Sequence, residues 1–221
     1  MIINIAIDGP AGAGKSTIAK RIAKEMGYIY VDTGAMYRAM ALFLIRNRIE
    51  PQESDKISEV CKKADISIEY KDGEQVVLLN GENVNPFLRT EEVGNMASKS
   101  SVNKEVREKL VDLQKQLAKR NSVVMDGRDI GTCVLPQAQI KVFLTATSRV
   151  RAIRRFEELK QKGFEADLEK IEADIIERDQ RDMTREISPL KQAKDAILLD
   201  SSDKTPDEVV AIIRELASKR L

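Results

Sequence analysis

Short apolar runs alternate with amphipathic stretches along most of the chain. Five runs have the length and continuity of strands buried on both faces: 3–8 (INIAID), 28–32 (YIYVD), 122–126 (SVVMD), 140–146 (IKVFLTA) and 196–200 (AILLD). Helical spacing separates them. Ile18, Ile22 and Met26 form an i, i+4, i+8 stripe that Gly27 is placed to stop. Further on, Thr205, Pro206 and Glu208 read as N-cap, first-turn proline and capping-box acid, ahead of a core stripe of Val209, Ile212, Ile213 and Leu216. Strands alternating with crossover helices predict an α/β fold: a five-stranded parallel sheet with helices on both faces.

Two stretches break that alternation. Residues 66–84 read as a hairpin with turns at Asp72-Gly73 and Asn80-Gly81, and helical patterns follow. This predicts a small inserted subdomain over 60–105. Residues 149–189 are highly charged, are punctuated by Gly163 and stop before Pro189. They read as two helices with little apolar surface to pin them, so mobility is expected there. The remaining segments, 1–59, 106–148 and 190–221, form the core of one domain.

Composition narrows the function. In 221 residues, 37 Lys and Arg balance 36 Asp and Glu, so net charge is +1. No global field favours nucleic acid or an anionic membrane, and neither is expected as a partner. No apolar run approaches spanning length and no signal-peptide pattern opens the chain, which predicts a cytoplasmic protein. Cys61 and Cys133 are far apart, suit a reducing compartment and read as buried small apolar residues. Histidine is absent, so any chemistry must run without imidazole. No long apolar helix face is left over, and a monomer is expected.

Residues 9–17, GPAGAGKST, satisfy G-x-x-x-x-G-K-[ST] between a strand-like run and an amphipathic helix. Gly9, Pro10, Ala11, Gly12, Ala13, Gly14, Lys15, Ser16 and Thr17 are therefore the predicted phosphate loop. Its inward N–H groups and the following helix dipole favour an anion. Lys15 is expected at the β/γ-phosphates of ATP and Ser16 on Mg²⁺. Asp126 sits like a Walker-B acid, and Asp8 could also hold the ion through water. No guanine-reading N-K-x-D element is found, and the chain is too short for a motor. Phosphoryl transfer to a small anionic acceptor remains, a chemistry carried by positioning and charge neutralisation. Arg38, in DTGAMYR, and Arg128 and Asp129, in DGRDIGT, follow the second and third strands and would face the same crevice. Arg154, in a basic cluster with Arg149, Arg151 and Arg155, is a candidate for the ATP phosphates beside the alternative of a solvated helix face. Tyr37 reads as packing. The octapeptide RDQRDMTR (178–185) concentrates three arginines and two aspartates, which either pair among themselves or await a ligand.

GPAGAGKST, DTGAMYR, DGRDIGT and ERDQRDMTR, in that order and spacing, resemble bacterial cytidylate kinases over essentially the full length. The resemblance implies a P-loop NTPase-type fold with a nucleoside-monophosphate subdomain and a helical lid. It implies transfer of the γ-phosphoryl of ATP to CMP or dCMP. By the same resemblance Arg38 and Arg128 hold the acceptor phosphate, and Ser98, Arg107 and Asp129 read cytosine. Arg178 and Asp182 contact the sugar, and Arg185 approaches the phosphates from the lid. Thr33 stands where many members have serine and keeps the hydroxyl. The octapeptide is then a ligand-facing element, with Arg181 left open, and Arg185→Ala is expected to lower kcat with little loss of stability. A kinase for another acceptor, a non-catalytic nucleotide sensor and an RNA-binding protein are the competing readings.

Overall fold

The computed structural model describes residues 2–71 and 73–220. In chain order the elements are β1 (Asn4–Asp8), α1 (Lys15–Met26), β2 (Ile29–Asp32), α2 (Thr33–Arg46), α3 (Ser54–Val60), β3 (Ile66–Lys71), β4 (Glu74–Leu79) and β5 (Glu82–Asn83). Then come α4 (Glu91–Ser100), α5 (Lys104–Arg120), β6 (Val123–Gly127), β7 (Ile140–Thr145), α6 (Ser148–Gln161), α7 (Leu168–Thr184), β8 (Ile197–Asp200) and α8 (Pro206–Arg220). Five strands form one sheet in the order β2-β6-β1-β7-β8, and β3, β4 and β5 form a separate three-stranded sheet. The large sheet is parallel where β1 pairs β6 and β7, and where β7 pairs β8. The expected five-stranded parallel sheet with flanking helices is therefore present.

The chain divides into two compact units, Ile3–Tyr28 with residues 123–220, and Ile29–Ser122. In the first, β1 lies between β6 and β7, and Ile5, Ala6 and Ile7 are fully buried because both faces of the sheet are covered. α1 lays Ile18, Ala19, Ile22 and Ala23 inward and ends at Gly27, whose φ of 67° is the left-handed stop that glycine accepts without strain. The capping box of α8 forms, with Thr205 and Glu208 bonding each other's N–H. Its buried stripe is rotated from the expected one: Val209, Val210, Ile213 and Ala217 are buried, while Ile212 and Leu216 are half-buried. Helices α6 and α7 bury only Arg151, Ala152 and Asp182. Expectation of few buried positions there was right, but two of the three are charged.

In the second unit α2 is N-capped by Asp32, whose Oδ1 accepts from Ala35 N at 2.9 Å. The hairpin is a three-stranded meander, with Asn80 and Gly81 at φ 50° and 81° turning β4 into β5 as a two-residue primed turn requires. Asp72, at the other expected turn, lies outside the described residues. Cys61 is buried as expected, whereas Cys133 is only partly so. Among the described residues no helix is long and apolar enough to cross a membrane.

Candidate active site

The loop after β1 is shaped by contacts that only glycine permits. Gly9 has φ 148°, and a Cβ there would lie 1.9 Å from the Leu144 carbonyl oxygen on β7. Gly14, at φ 87°, begins α1 with no side-chain cap, so the first turn's N–H groups face the loop. The loop's carbonyls have donors of their own. Lys15 Nζ donates to Pro10 O at 2.7 Å, Arg151 Nη1 to Ala11 O at 2.9 Å, and Ile18 N to Gly14 O at 3.1 Å. Turning carbonyls away is the counterpart of turning amides in.

Lys15 is 5% exposed. Burial pulls its pKa down to about 7; the guanidinium of Arg128 acts in the same direction, against the Asp126 and Asp8 carboxylates. A polyphosphate beside it would favour the charged form. Ser16 Oγ donates to Asp126 Oδ2 at 3.0 Å, placing a hydroxyl beside a buried carboxylate. These hard oxygen donors fit Mg²⁺, whose coordination is normally completed by water and phosphate oxygens. Among the described residues no group of three or more His, Cys, Asp or Glu could hold a metal.

Asp8 has a task that the sequence did not announce. Its Oδ1 accepts from Ile130 N and its Oδ2 from Gly131 N, both at 2.7 Å. Each oxygen thus holds the turn that carries Arg128 and Asp129, and Asp8 acts as a clamp on that backbone. Burial pushes its pKa up to about 6, although the two N–H bonds favour the anion.

The octapeptide splits by residue. Arg181 pairs with Glu177 one turn away on the exposed face. Asp182 is 6% exposed, and its Oδ2 accepts from Arg128 Nε at 2.9 Å. Arg185 lies 3.9 Å from Asp129 and 3.8 Å from Asp182. Burial alone would raise the Asp182 pKa, but Arg128, then Arg178 and Arg185, outweigh it and hold the carboxylate below its usual value. Arg128, Asp129, Arg178, Asp182 and Arg185 are therefore one cluster, and Arg128 and Arg178 also act on Lys15. The Arg185 side chain is only 6% exposed and its Nε donates to Ser188 O at 2.6 Å. Its removal must cost stability, contrary to expectation.

Arg154 donates to Ser201 O at 2.6 Å and contacts Ser201 Oγ at 3.4 Å, which fastens α6 to the turn after β8. Arg149 and Arg155 pair with glutamates on the surface.

In the second unit Asp32 is the hub. Gln75 Oε1 accepts from its N–H at 2.8 Å, Gln75 Nε2 reaches its carbonyl at 3.3 Å, and Arg89 pairs with its Oδ2 at 3.0 Å. Thr33 follows, buried. A Cβ at Gly34 would lie 3.1 Å from Arg38 Nη1, so glycine leaves space for that guanidinium. Arg107, 3% exposed, donates to Ser101 O at 3.1 Å and stands 5.4 Å over the Tyr37 ring. The Tyr37 ring thus serves as the platform for this guanidinium. Ser98 lies on α4 and Arg107 on α5.

A sequence model of the family described as Cytidylate kinase matches residues 5–219. The chain belongs to the cytidylate kinase family. Among curated cytidylate kinases, that of Caldicellulosiruptor bescii is 54% identical over 217 residues, covering 98% of this chain and 96% of its own. That of Lactobacillus gasseri is 49% identical, covering 99% and 95%, and that of Bacillus cereus 45%, covering 98% and 96%. A solved shikimate kinase from Bacteroides thetaiotaomicron superposes with TM-score 0.51 at 14% identity, covering 99% of each chain, and shares the fold. An uncharacterized protein from Eubacterium ventriosum gives 0.54 at 14% identity over the whole of both chains. As a cytidylate kinase family chain, it carries positions that sequence reasoning passed over: Asp8 as a clamp, Gln75 and Arg89 on Asp32, and Arg151. Asp8 ended a strand beside a glycine loop, a signal shared by clamps and metal ligands alike. Arg151 sat among three other arginines with nothing local to single it out.

Proposed function

We propose that this protein transfers the γ-phosphoryl group of ATP to CMP or dCMP, giving ADP and CDP or dCDP, as a step of pyrimidine nucleotide metabolism. The observation that carries the reading is the arginine cluster on Asp182 and its reach to the phosphate loop. Arg128, Arg178 and Arg185 act on the Asp182 carboxylate, and Arg128 and Arg178 also act on Lys15, so guanidinium groups gather where two phosphate chains would meet. No covalent intermediate is required. Lys15, Arg128, Arg178 and Arg185 neutralise charge on the transferring group while the loop amides of residues 9–17 orient the donor. Arg154 is assigned to the donor side through its hold on the Ser201 turn. Ser16 and Asp126 would hold Mg²⁺, which when bound supplies charge neutralisation at the phosphate oxygens.

For the acceptor, Arg38 and Arg128 are assigned to the phosphate, and Arg178 and Asp182 to the sugar. Thr33 supplies a hydroxyl, and Ser98, Arg107 and Asp129 read the base. The segments 60–105 and 149–189 are assigned as acceptor subdomain and lid of one kinase domain. Cytosine presents an N4 amino donor to Asp129, whereas uracil would oppose its O4 to the same carboxylate. That mismatch should cost about 2 kcal/mol or more, roughly thirtyfold in kcat/KM. The test is a panel of nucleoside monophosphates and small hydroxylated acceptors with MgATP, read by ADP release. CMP and dCMP should lead the panel, with UMP well behind; equal kcat/KM for CMP and UMP would overturn the base assignment, and ADP release with neither CMP nor dCMP would overturn the function.

A further inference from the structure

Arg151 makes three hydrogen bonds to three separate parts of the first unit. Its Nε donates to Ala146 O just past β7 at 2.9 Å, its Nη1 to Ala11 O in the phosphate loop at 2.9 Å, and its Nη2 to Asp179 Oδ2 on α7 at 2.6 Å. The residue is 4% exposed. Its stem runs beside Gly12, where a Cβ would stand 3.4 Å from the Arg151 Cβ. The other Asp179 oxygen, Oδ1, is buried with no hydrogen-bond partner, so Arg151 is what fastens this carboxylate. Arg178 immediately precedes Asp179, and Asp182 lies one helical turn beyond on the same helix.

We propose that Arg151 is a positioning residue for phosphoryl transfer, tying the Ala11 carbonyl of the phosphate loop to Asp179 of α7. One rigid, planar guanidinium then sets the spacing between the anion-binding backbone and the helix that carries Arg178 and Asp182. Lysine cannot replace it, because a single ammonium does not reach acceptors on three elements in one plane. The loop end of the tie holds a carbonyl outward, so that the neighbouring amides stay turned toward the nucleotide. The lid end holds a helix that has almost no apolar anchorage. This inference rests on the proposed kinase function, and its test separates the two.

Three variants are compared with wild type by steady-state kinetics and by calorimetric titration of MgATP, which also counts competent sites. Asp179→Ala leaves the loop contact in place. It should bind MgATP within about threefold of wild type at a stoichiometry near one, while kcat falls about tenfold or more. Asp179→Asn, which restores an acceptor, should recover most of that loss. Arg151→Lys should weaken MgATP binding about tenfold and lower kcat as well. Overturning results are an Asp179→Ala kcat above half of wild type, or Arg151→Lys binding MgATP as wild type does. A loss confined to melting temperature and site count, with turnover per competent site unchanged, would equally reduce Arg151 to a packing role and overturn the proposal. If wild type fails to phosphorylate CMP, the kinase reading falls, while the MgATP titrations still decide whether Arg151 shapes the loop.

Discussion

Consider a calorimetric titration of MgATP into the protein at pH 8. In the free protein Lys15 is buried with its Nζ on the Pro10 carbonyl, and its pKa is pulled to about 7, first by burial and then by Arg128. At pH 8 such a group is protonated in about one molecule in ten. Polyphosphate oxygens placed against it restore the cation, because an adjacent anion favours the charged form. The terminal phosphate, with a second pKa near 6, is already deprotonated there. Uptake of about half a proton or more per nucleotide is therefore expected from this lysine at pH 8, falling away as pH is lowered through about 7. Repeating the titration in buffers of different ionisation enthalpy gives the proton count as a slope. Arg128→Gln removes the second-largest cause of the depressed pKa and should reduce the uptake at pH 8. A slope near zero at pH 8 in wild type would show a lysine already charged, and would refute the electrostatic account of the loop. The same shift has a stability signature. The Lys15 pKa is lowered, so its contribution is present above 10.5 and lost as pH falls through about 7. The Asp8 pKa is raised, so its contribution is present below 3.8 and lost as pH rises through about 6.

Gly9→Ala places a methyl 1.9 Å from the Leu144 carbonyl, so loop and β7 must part by on the order of 1 Å; kcat/KM for ATP should fall about a hundredfold. Arg185→Ala should lower kcat by about a hundredfold or more and, because the Ser188 carbonyl loses its donor, reduce stability by about 1–3 kcal/mol in a denaturant melt. Gln75→Leu strips partners from both the N–H and the carbonyl of Asp32 and should cost about 1–3 kcal/mol, read as a lower denaturant midpoint.

Strand positions were legible because both-faces burial writes itself as an unbroken apolar run, and INIAID or IKVFLTA has few alternatives. The phosphate loop was legible because its glycines, lysine and serine are adjacent in sequence. What escaped depends on distance along the chain. Asp8 meets the N–H groups of Ile130 and Gly131, and Arg151 meets Ala11; nothing near either residue announces those partners. Arg149, Arg151, Arg154 and Arg155 look alike as text, and only the course of β7 and α7 decides which is buried. On α8 the expected stripe and the observed one share Val209 and Ile213, and differ in that Val210 and Ala217 take the inner face in place of Ile212 and Leu216. Arg185 was read as a lid arginine whose loss would cost little stability, and nothing in the sequence announced its bond to the Ser188 carbonyl.

Asp182 takes the Nε of Arg128, one of the five N–H donors of that planar fork. A single carboxylate thus fixes the direction of a long side chain while leaving most of its donors uncommitted to that partner. If Arg128 takes the acceptor phosphate as proposed, the ordering of a flexible stem is then a cost met during folding and not at each binding event.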